Sequence, residues 1–450
     1  MTQEVTDRPR GLKSLGRGFS AATVLSLSRI LQLASLFAVT VFLGRAAGPA
    51  VLGEVSLVLA AGSVMQAVSV AGLAAAALNA LLKRGNDFDE ELRIVLYARV
   101  LLLPLVFLGG AGILLALPGV SLPPLGVLVF FFVGYAVGAF DVAELAHTAR
   151  GRFHVIAGRR IAVVAVTAPV SWFFASQGQP YWTLAVLAIE SALWQLVLVP
   201  GAGISLGPLA RVVENCRRAL SRVWEVRMLW ASSMVAAVSS RIDLFIIGAL
   251  LGVHAVGQYS TTSRPIEATT IVAHSLIMVL IGSISKNASM PSQYAANLAR
   301  ASRTTFWTSV VVTGSLIVVG PWLILFLYGQ QFETASAILP VYALSVLFIF
   351  QEQILSVLLI VEKLYRLDFM INVARATVTI GLNLLLLPTF GIAGAAIAAV
   401  LTRPVSTMVI LLPHASGRHV LMLTYGSIFR SNHRVQASAN RLIRNRRTKN

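Results

Sequence analysis

The residues of this chain whose chemistry most needs an explanation are charged side chains inside long apolar stretches. Six are arginines and six are carboxylates. An arginine guanidinium is planar and binds phosphate through paired N–H groups, whereas a carboxylate within a membrane can take up a proton or another small cation. The twelve residues are Arg29, Arg99, Arg241, Arg264, Arg375, Arg403, Asp141, Glu144, Glu190, Asp243, Glu267 and Glu352.

The composition of the chain indicates that these charges lie in a membrane. The chain has 450 residues, of which 57% are hydrophobic and 12% are charged. An ordinary soluble domain is about 45–50% apolar and about 25% charged. The hydrophobic residues suffice for roughly twelve membrane spans of about 20 residues each. We therefore predict an all-α, polytopic membrane protein and not a set of soluble domains.

The apolar stretches divide the chain into two halves of six predicted spans each. A cytoplasmic N-terminus (1–19) precedes the N-lobe (20–205), and a basic linker (206–227) leads to the C-lobe (228–413). A basic cytoplasmic tail (414–450) ends the chain, and its last stretch, RSNHRVQASANRLIRNRRTKN (430–450), is expected to be disordered, with docking on anionic lipid or a cytoplasmic partner as the alternative. The predicted spans are 20–43, 51–82, 95–117, 125–147, 155–175, 181–205, 228–251, 255–285, 302–328, 335–361, 368–388 and 391–413.

The distribution of lysine and arginine predicts how these spans are oriented. With this layout, 29 of the 36 basic residues fall in loops, termini or the adjoining ends of spans on one side, one (Arg45) falls on the other side, and six lie deeper within spans. Basic residues concentrate in cytoplasmic loops. Both termini are therefore predicted to be cytoplasmic. The net charge of +18 is spread over seven membrane-proximal segments, which argues against nucleic acid as a partner.

A repeated glycine motif supports the division into two halves. Its two copies are separated by 204 residues and follow the first and the seventh predicted span. Six spans per half give both halves the same orientation, so we expect two six-helix lobes around a central cavity, related by an axis along the membrane normal. The matching positions are Gly44, Gly48, Gly53 and Ser56 in the first copy and Gly248, Gly252, Gly257 and Ser260 in the second.

The intramembrane charges are expected to neutralise one another or to line water. Each central charge costs about 2.5–3.5 kcal/mol on insertion scales. Arg264 and Glu267 lie three residues apart on one helix face and are predicted to pair, with a kink at Pro265 between them. Arg241 and Asp243 are two residues apart, so each needs another partner. Two further residues, Arg99 and Glu144, are expected to reach the cytoplasmic surface, and Arg403 is expected either to bind substrate or to break a helix before Pro404.

Three stretches resemble one family of transporters. They are LGRAAGPAVLGEVSLV (43–58), SSRIDLFIIGALLGVHAVGQYSTTSRPIEA (239–268) and NLLLLPTFGIAGAAIAAVLTRPV (383–405). Two motifs in these stretches are typical of the family. The first is R-x-D-x-x-x-I-G followed by G-x-x-x-V-G-x-Y, and the second is P-x-x-G-I-x-G-A-A. The chain resembles the polysaccharide transporter branch of the multidrug/oligosaccharidyl-lipid/polysaccharide exporter superfamily, which contains the O-antigen-type flippases. It departs from that branch by its long basic tail.

The resemblance implies a transporter that moves an undecaprenyl-pyrophosphate-linked oligosaccharide across the cell inner membrane by alternating access, for polysaccharide biosynthesis. An anionic headgroup calls for arginines, so we predict that Arg29, Arg241, Arg264 and Arg375 bind substrate. We predict that Asp141, Asp243, Glu267 and Glu352 couple transport to a proton or sodium ion. The alternative for all of these residues is structural ion pairing between helices.

Two other functions stay open at this point. A drug or cation exporter of the same superfamily would favour an acidic cavity with few arginines. An integral-membrane glycan polymerase or transferase would need a sizeable outer loop, but the predicted outer loops are short. We expect no enzymatic activity, no cofactor and no metal. The expected partners are the lipid-linked oligosaccharide, membrane lipids, and a polysaccharide polymerase or other assembly proteins.

Overall fold

The computed structural model describes residues 12–70, 88–115, 123–138, 140–204, 212–286, 291–362 and 364–426, with isolated positions between 73 and 81. Throughout these ranges the regular structure is helical, with no strand. The predicted all-α fold class is therefore confirmed. The first six helices are α1 (Leu12–Val70), α2 (Phe88–Leu115), α3 (Leu125–Gly138), α4 (Val142–Ala149), α5 (Phe153–Ser176) and α6 (Pro180–Leu196).

The remaining helices belong to the predicted linker, the second half and the tail. A 3₁₀ turn at Gln330–Phe332 precedes α11. The helices are α7 (Val212–Glu225), α8 (Arg227–Ser239), α9 (Ile242–Lys286), α10 (Pro291–Tyr328), α11 (Glu333–Ala343), α12 (Ser345–Val361), α13 (Tyr365–Phe390), α14 (Ile392–Leu411) and α15 (Ala415–Thr424).

Several helices have the length and apolar character of membrane spans. Seven of the described helical stretches qualify, or eight if the bent pair α11–α12 counts as one broken span. Two of the seven, Leu27–Ala67 and Trp230–Ile277, are far longer than one span and contain a break in helical geometry. The protein is thus a polytopic membrane protein, and the described helices are consistent with the predicted twelve spans without establishing that number.

The two breaks occur at matching positions of the glycine repeat. Gly48 has φ 84° and ψ 177°, and Gly252 has φ 82° and ψ 175°. Positive φ strains any residue with a Cβ, so glycine allows the chain to turn at these points. In α9 the residue with non-helical angles is Gly252 and not Pro265, the predicted site of a kink.

The repeated motifs pack against each other in a reciprocal way. A Cβ added to Gly53 would overlap the carbonyl oxygen of Val253, and one added to Gly257 would overlap that of Pro49. These two contacts exchange under the 204-residue shift of the repeat. Small residues of this kind let helix backbones approach closely within a membrane. The two hairpins therefore meet about a local two-fold axis.

The described chain forms two compact units. The first comprises described residues of Met1–Phe42, Met65–Gly112 and Pro123–Trp230, and the second comprises those of Leu43–Val64, Ile113–Leu122 and Ala231–Asn450. The first glycine hairpin thus belongs to the unit that contains the second half of the sequence. The lobe boundaries drawn from the sequence remain predictions.

The linker between the predicted halves contains the amphipathic helix α7. Its inner face, around Ala219, packs on Ile94 and Tyr97 of α2. Arg222 pairs with the buried carboxylate of Glu91 at 3.0 Å. Burial alone would lower the pKa of the Arg222 guanidinium, but the carboxylates of Glu91 and Glu225 outweigh it, so the pKa is raised. The side chain therefore stays charged in this position.

The first part of the predicted basic tail is helical, whereas the stretch expected to be disordered (430–450) lies outside the described residues. Helix α15 covers Ala415–Thr424. Val420 and Leu423 are fully buried and pack in one apolar cluster with Leu358 and Leu411. Burial of these apolar side chains stabilises the helix at this place. The rest of the tail, from residue 427, lies outside the described residues.

Candidate functional site

Three intramembrane glutamates each contact two arginines. We name these clusters the Glu144 triad (Arg29, Glu144, Arg160), the Glu267 triad (Arg241, Arg264, Glu267) and the Glu352 triad (Glu352, Arg375, Arg403). Two guanidinium groups against one carboxylate leave each triad with a formal charge of +1. All four arginines predicted to bind substrate lie in these triads.

The Glu144 triad joins helices α1, α4 and α5 of the first unit. Arg160 donates to Glu144 over 2.5 Å, and Arg29 lies 3.8 Å from the same carboxylate. The Arg160 side chain is 4% exposed, whereas that of Arg29 is 63% exposed. Arg29 is thus the more loosely held of the two arginines. The Glu144 side chain is 19% exposed and is held by Arg160 and Arg29, so the expectation that it reaches the cytoplasmic surface stays a prediction.

The Glu267 triad depends on the break at Gly252. Arg241 precedes α9, and the break brings it beside Glu267, 26 residues later, with a hydrogen bond of 2.6 Å. Arg264 lies 3.4 Å from the other carboxylate oxygen of Glu267, so this predicted pair is confirmed. The Glu267 side chain is 39% exposed, so the cluster is open at one side.

Asp243 has a different set of partners from its neighbour Arg241. The Tyr259 hydroxyl donates to Oδ2 over 2.6 Å, and the Leu244 amide donates to Oδ1 over 2.9 Å. The Tyr342 ring stacks on that of Tyr259, with their hydroxyls 3.3 Å apart. Asp243 and Arg241 thus use separate partners, as their spacing predicts.

The Glu352 triad joins helices α12, α13 and α14. Arg375 contacts one carboxylate oxygen of Glu352 and Arg403 contacts the other. The Nε atom of Arg375 is buried and has no hydrogen-bond partner among the described residues. The triad explains Arg403 as an ion-pair partner, where the sequence suggested a helix break or a substrate contact.

Arg99 and Asp141 form a closed pair in the first unit. Arg99 Nε donates to Asp141 Oδ1 over 2.8 Å, and Nη2 donates to Oδ2 over 3.1 Å. The Arg99 side chain is 1% exposed, so the expectation that it extends to the cytoplasmic surface is wrong. A two-pronged hydrogen-bonded pair of this kind offsets the cost of burying both charges.

The four carboxylates predicted to couple transport to an ion thus differ in their surroundings. Asp141, Glu267 and Glu352 each contact at least one arginine. Asp243 accepts its hydrogen bonds from a phenol and an amide. Within the described part of the chain, no group of three or more metal-binding side chains is present. The proposed coupling role of the four residues remains a prediction.

Sequence reasoning missed Arg160 and Tyr259. Arg160 was assigned to the basic loop residues that set orientation, because it follows Arg159 near the start of a span. Its partner Glu144 is 16 residues away, a spacing without a sequence signal. Tyr259 lies next to Ser260 in the repeated glycine motif, and that position could have drawn attention to it.

Comparison with known proteins agrees with this architecture. The family model described as "Polysaccharide biosynthesis protein" matches residues 42–337. A solved structure of the lipid II flippase MurJ in an inward closed conformation superposes with a TM-score of 0.69 at 14% identity, covering 94% of this chain and 96% of that one. No curated protein sequence matches the chain significantly.

A second solved structure widens the comparison to exporters. It is an inward-facing multidrug resistance MATE family transporter of the MOP superfamily, with a TM-score of 0.61 at 14% identity and coverage of 90% of this chain and 99% of that one. At such identities the likeness concerns the fold alone. With the family match over more than half of its length, the chain belongs to the polysaccharide biosynthesis protein family and has the fold of MurJ and MATE transporters.

Proposed function

We propose that this protein flips an undecaprenyl-pyrophosphate-linked oligosaccharide from the cytoplasmic to the outer leaflet of the inner membrane by alternating access. The observation that carries the proposal is the net positive charge of three Arg–Glu–Arg triads built from predicted membrane spans. The pyrophosphate group of the lipid, whether diester or monoester, is negatively charged and would neutralise these positively charged clusters.

The arginines of the triads have the donors that this role needs. Each guanidinium carries five N–H groups, and its glutamate accepts only one or two of them. Arg29 is largely exposed and Arg375 retains a buried N–H without a partner among the described residues. We infer that Arg29, Arg241, Arg264 and Arg375 bind the pyrophosphate, while the glutamates hold them in place between transport events.

The alternative is a drug or cation exporter, which the fold shared with a multidrug resistance transporter favours. Triads of charge +1 would repel a cationic drug and attract an anionic headgroup. The charge of the clusters therefore favours the lipid-linked glycan. A glycan polymerase or transferase is less well supported, since the similar solved structures are transporters.

The remaining parts of the proposal concern place and partners. The basic loops favour cytoplasmic N- and C-termini. The family description places the protein in polysaccharide biosynthesis, where a polymerase or assembly proteins would receive the flipped glycan.

The test uses cells that depend on this protein for surface glycan. Arg29→Ala and Arg264→Ala should each abolish surface glycan at an unchanged protein level, because the headgroup loses a bidentate partner. Arg45→Ala, an exposed arginine outside the triads, is the matched control and should leave the glycan unchanged. Normal glycan in both triad variants would overturn the site assignment.

A further inference from the structure

A buried glutamate outside the triads, Glu190 of α6, lacks an ionic partner. Its exposed fraction is 6%, and its hydrogen-bond partner is the hydroxyl of Thr167 on α5, 2.8 Å away. It forms no ion pair with any described residue, unlike Glu144, Glu267 and Glu352. Because α6 starts at Pro180, Glu190 lies about 15 Å along the helix, near the middle of a hydrocarbon core of about 30 Å.

The hydroxyl of Thr167 indicates which form of Glu190 is present. Thr167 Oγ1 lies 3.0 Å from the carbonyl oxygen of Val163 and 2.8 Å from Glu190 Oε2. A threonine hydroxyl has one proton, and a carbonyl oxygen cannot donate. If the single proton of Thr167 goes to Val163, the second contact is a hydrogen bond only when Glu190 donates its own O–H to Thr167. The geometry therefore fits a neutral carboxylic acid.

Among the described residues, the neighbouring helices supply no cation to Glu190. On α6 itself Tyr181 lies two to three turns away, and on α3 the ionisable residue is Tyr135. Helix α5 carries His154, which is exposed, and Arg159, which donates to the carbonyl groups of Val197 and Pro200. From α1, the uncharged Gln66 donates to the Ser191 hydroxyl, next to Glu190.

The nearest arginine along this face is Arg160, which belongs to the Glu144 triad. It lies seven residues before Thr167, about 10 Å along α5 and on the same helix face. Its guanidinium lies 4.6 Å from the ring centre of Trp194, which follows Glu190 by one turn of α6. The indole Nε1 of Trp194 and the Nε of Arg160 are buried without hydrogen-bond partners among the described residues.

These groups form a polar track from Glu190 towards the predicted cytoplasmic side. It runs from Glu190 past Trp194 and Arg160 to Glu144, and it ends at the exposed Arg29. If Glu190 lost its proton, its new negative charge would attract Arg160 and compete with Glu144 for it. If Arg160 moved away, Glu144 would pair with Arg29 alone. Arg29 would then bind a phosphate less tightly, because Glu144 occupies more of its donors.

We propose that Glu190 binds and releases the proton that drives transport. The change in the charge of Glu190 affects Arg29 because Arg160 and Glu144 then exchange ion-pair partners. The chemistry is one O–H bond broken at the carboxyl, with the proton taken up by water and returned on the other side of the membrane. This inference rests on the proposed function, because the proton is exchanged against the movement of the lipid-linked glycan. Thr167 is a positioning residue that accepts a hydrogen bond from the carboxyl O–H of Glu190.

The experiment uses the full-length protein in liposomes loaded with an undecaprenyl-pyrophosphate-linked oligosaccharide. Flipping is measured with and without a pH gradient for the wild type, for Glu190→Gln, and for Glu333→Gln, an exposed glutamate as control. We expect the gradient to accelerate flipping several-fold in the wild type and the control. In Glu190→Gln, flipping down the lipid gradient should persist, and the acceleration should disappear.

A second measurement holds even if a variant does not transport. Infrared spectra of the wild type at neutral pH should contain a carbonyl band of a buried carboxylic acid. The band should be missing in Glu190→Gln and should shift in Thr167→Val, which removes the acceptor of the carboxyl proton.

The outcomes separate this inference from the proposed function. Acceleration by the gradient in Glu190→Gln, or an infrared spectrum in which Thr167→Val changes no acid band, would overturn the role of Glu190. Wild-type flipping that ignores the pH gradient would also overturn it, while leaving the proposed function in place. If the wild type moves no pyrophosphate-linked lipid at all, the proposed function fails, and the coupling role of Glu190 fails with it.

Discussion

Ser56 Oγ and Ser260 Oγ lie 3.1 Å apart, although their residues are separated by 204 positions. They occupy the same place in the two copies of the glycine motif. A residue that contacts its own counterpart lies on or near a two-fold axis, and the exchanged contacts of Gly53 and Gly257 agree with this. The repeat in the sequence is therefore also an interface in the fold.

The glycines at this interface should tolerate no side chain. Gly53→Ala or Gly257→Ala places a methyl group on a backbone carbonyl oxygen, so the hairpins must separate. We expect a loss of about 1–3 kcal/mol in the free energy of unfolding, the usual range for overpacking. Thermal unfolding of the purified protein, followed by size-exclusion chromatography, measures the change.

Gly314 provides the control for these substitutions. It lies in α10, and a Cβ added there meets no atom within 4 Å. Gly314→Ala should leave the unfolding temperature unchanged or raise it slightly, because alanine favours the helix. Equal effects of the substitutions at Gly314 and Gly257 would contradict the proposed close contact of the two hairpins.

Replacing only one partner of the Arg99–Asp141 ion pair should strongly lower the free energy of unfolding. Asp141→Asn leaves the guanidinium of Arg99 buried without its counter-charge, and we expect a loss of about 3–5 kcal/mol. The double variant Arg99→Met and Asp141→Leu removes both charges and should recover most of that loss. A double-mutant cycle on unfolding, with the single variants Arg99→Met and Asp141→Leu, measures the coupling, and additive effects would contradict a stabilising ion pair.

Arg29 should behave differently, because its side chain is exposed and its ion pair is long. Arg29→Ala is expected to change the free energy of unfolding by no more than about 1 kcal/mol. Its affinity for a pyrophosphate-bearing lipid should nevertheless fall, and Arg29→Lys should restore only part of it, since lysine keeps the charge but loses the planar fork. Native mass spectrometry of the protein with bound lipid measures this affinity. Equal binding by the wild type, Arg29→Ala and Arg29→Lys would show that Arg29 does not bind the headgroup.

The Glu352 triad predicts a compensating pair of substitutions. Glu352→Gln leaves Arg375 and Arg403 to repel each other, so the stability of the second unit should fall. Adding Arg403→Gln removes one of the two positive charges and should restore part of the stability. Thermal unfolding of the single and double variants measures this, and a further loss in the double variant would contradict the triad.

Much of the architecture follows from local patterns in the sequence. Apolar length predicts the helices, and glycine spacing predicts the equivalence of the two halves. The pairing of Arg264 with Glu267 follows from helical periodicity. The sharp breaks at Gly48 and Gly252 follow from that spacing only in part, because a glycine permits a positive φ without requiring it.

The rest depends on which helices become neighbours, and spacing along the chain does not contain that information. Arg99 is buried against Asp141, 42 residues away, and Arg160 completes the Glu144 triad. Glu352 meets Arg375 and Arg403 from two other helices. Single-residue hydropathy suggested surface positions for Arg99 and Glu144, because it does not include a partner that offsets the cost of burial.

The most direct test of the central claim is movement of the lipid itself. The purified protein is reconstituted in liposomes with a fluorescent undecaprenyl-pyrophosphate-linked oligosaccharide, and accessibility to an external quencher reports its transfer between leaflets. The account predicts transfer by the wild type and by Arg45→Ala, and a strong reduction for Arg264→Ala. No transfer by the wild type, together with uptake of a cationic dye, would contradict the account and favour the drug exporter.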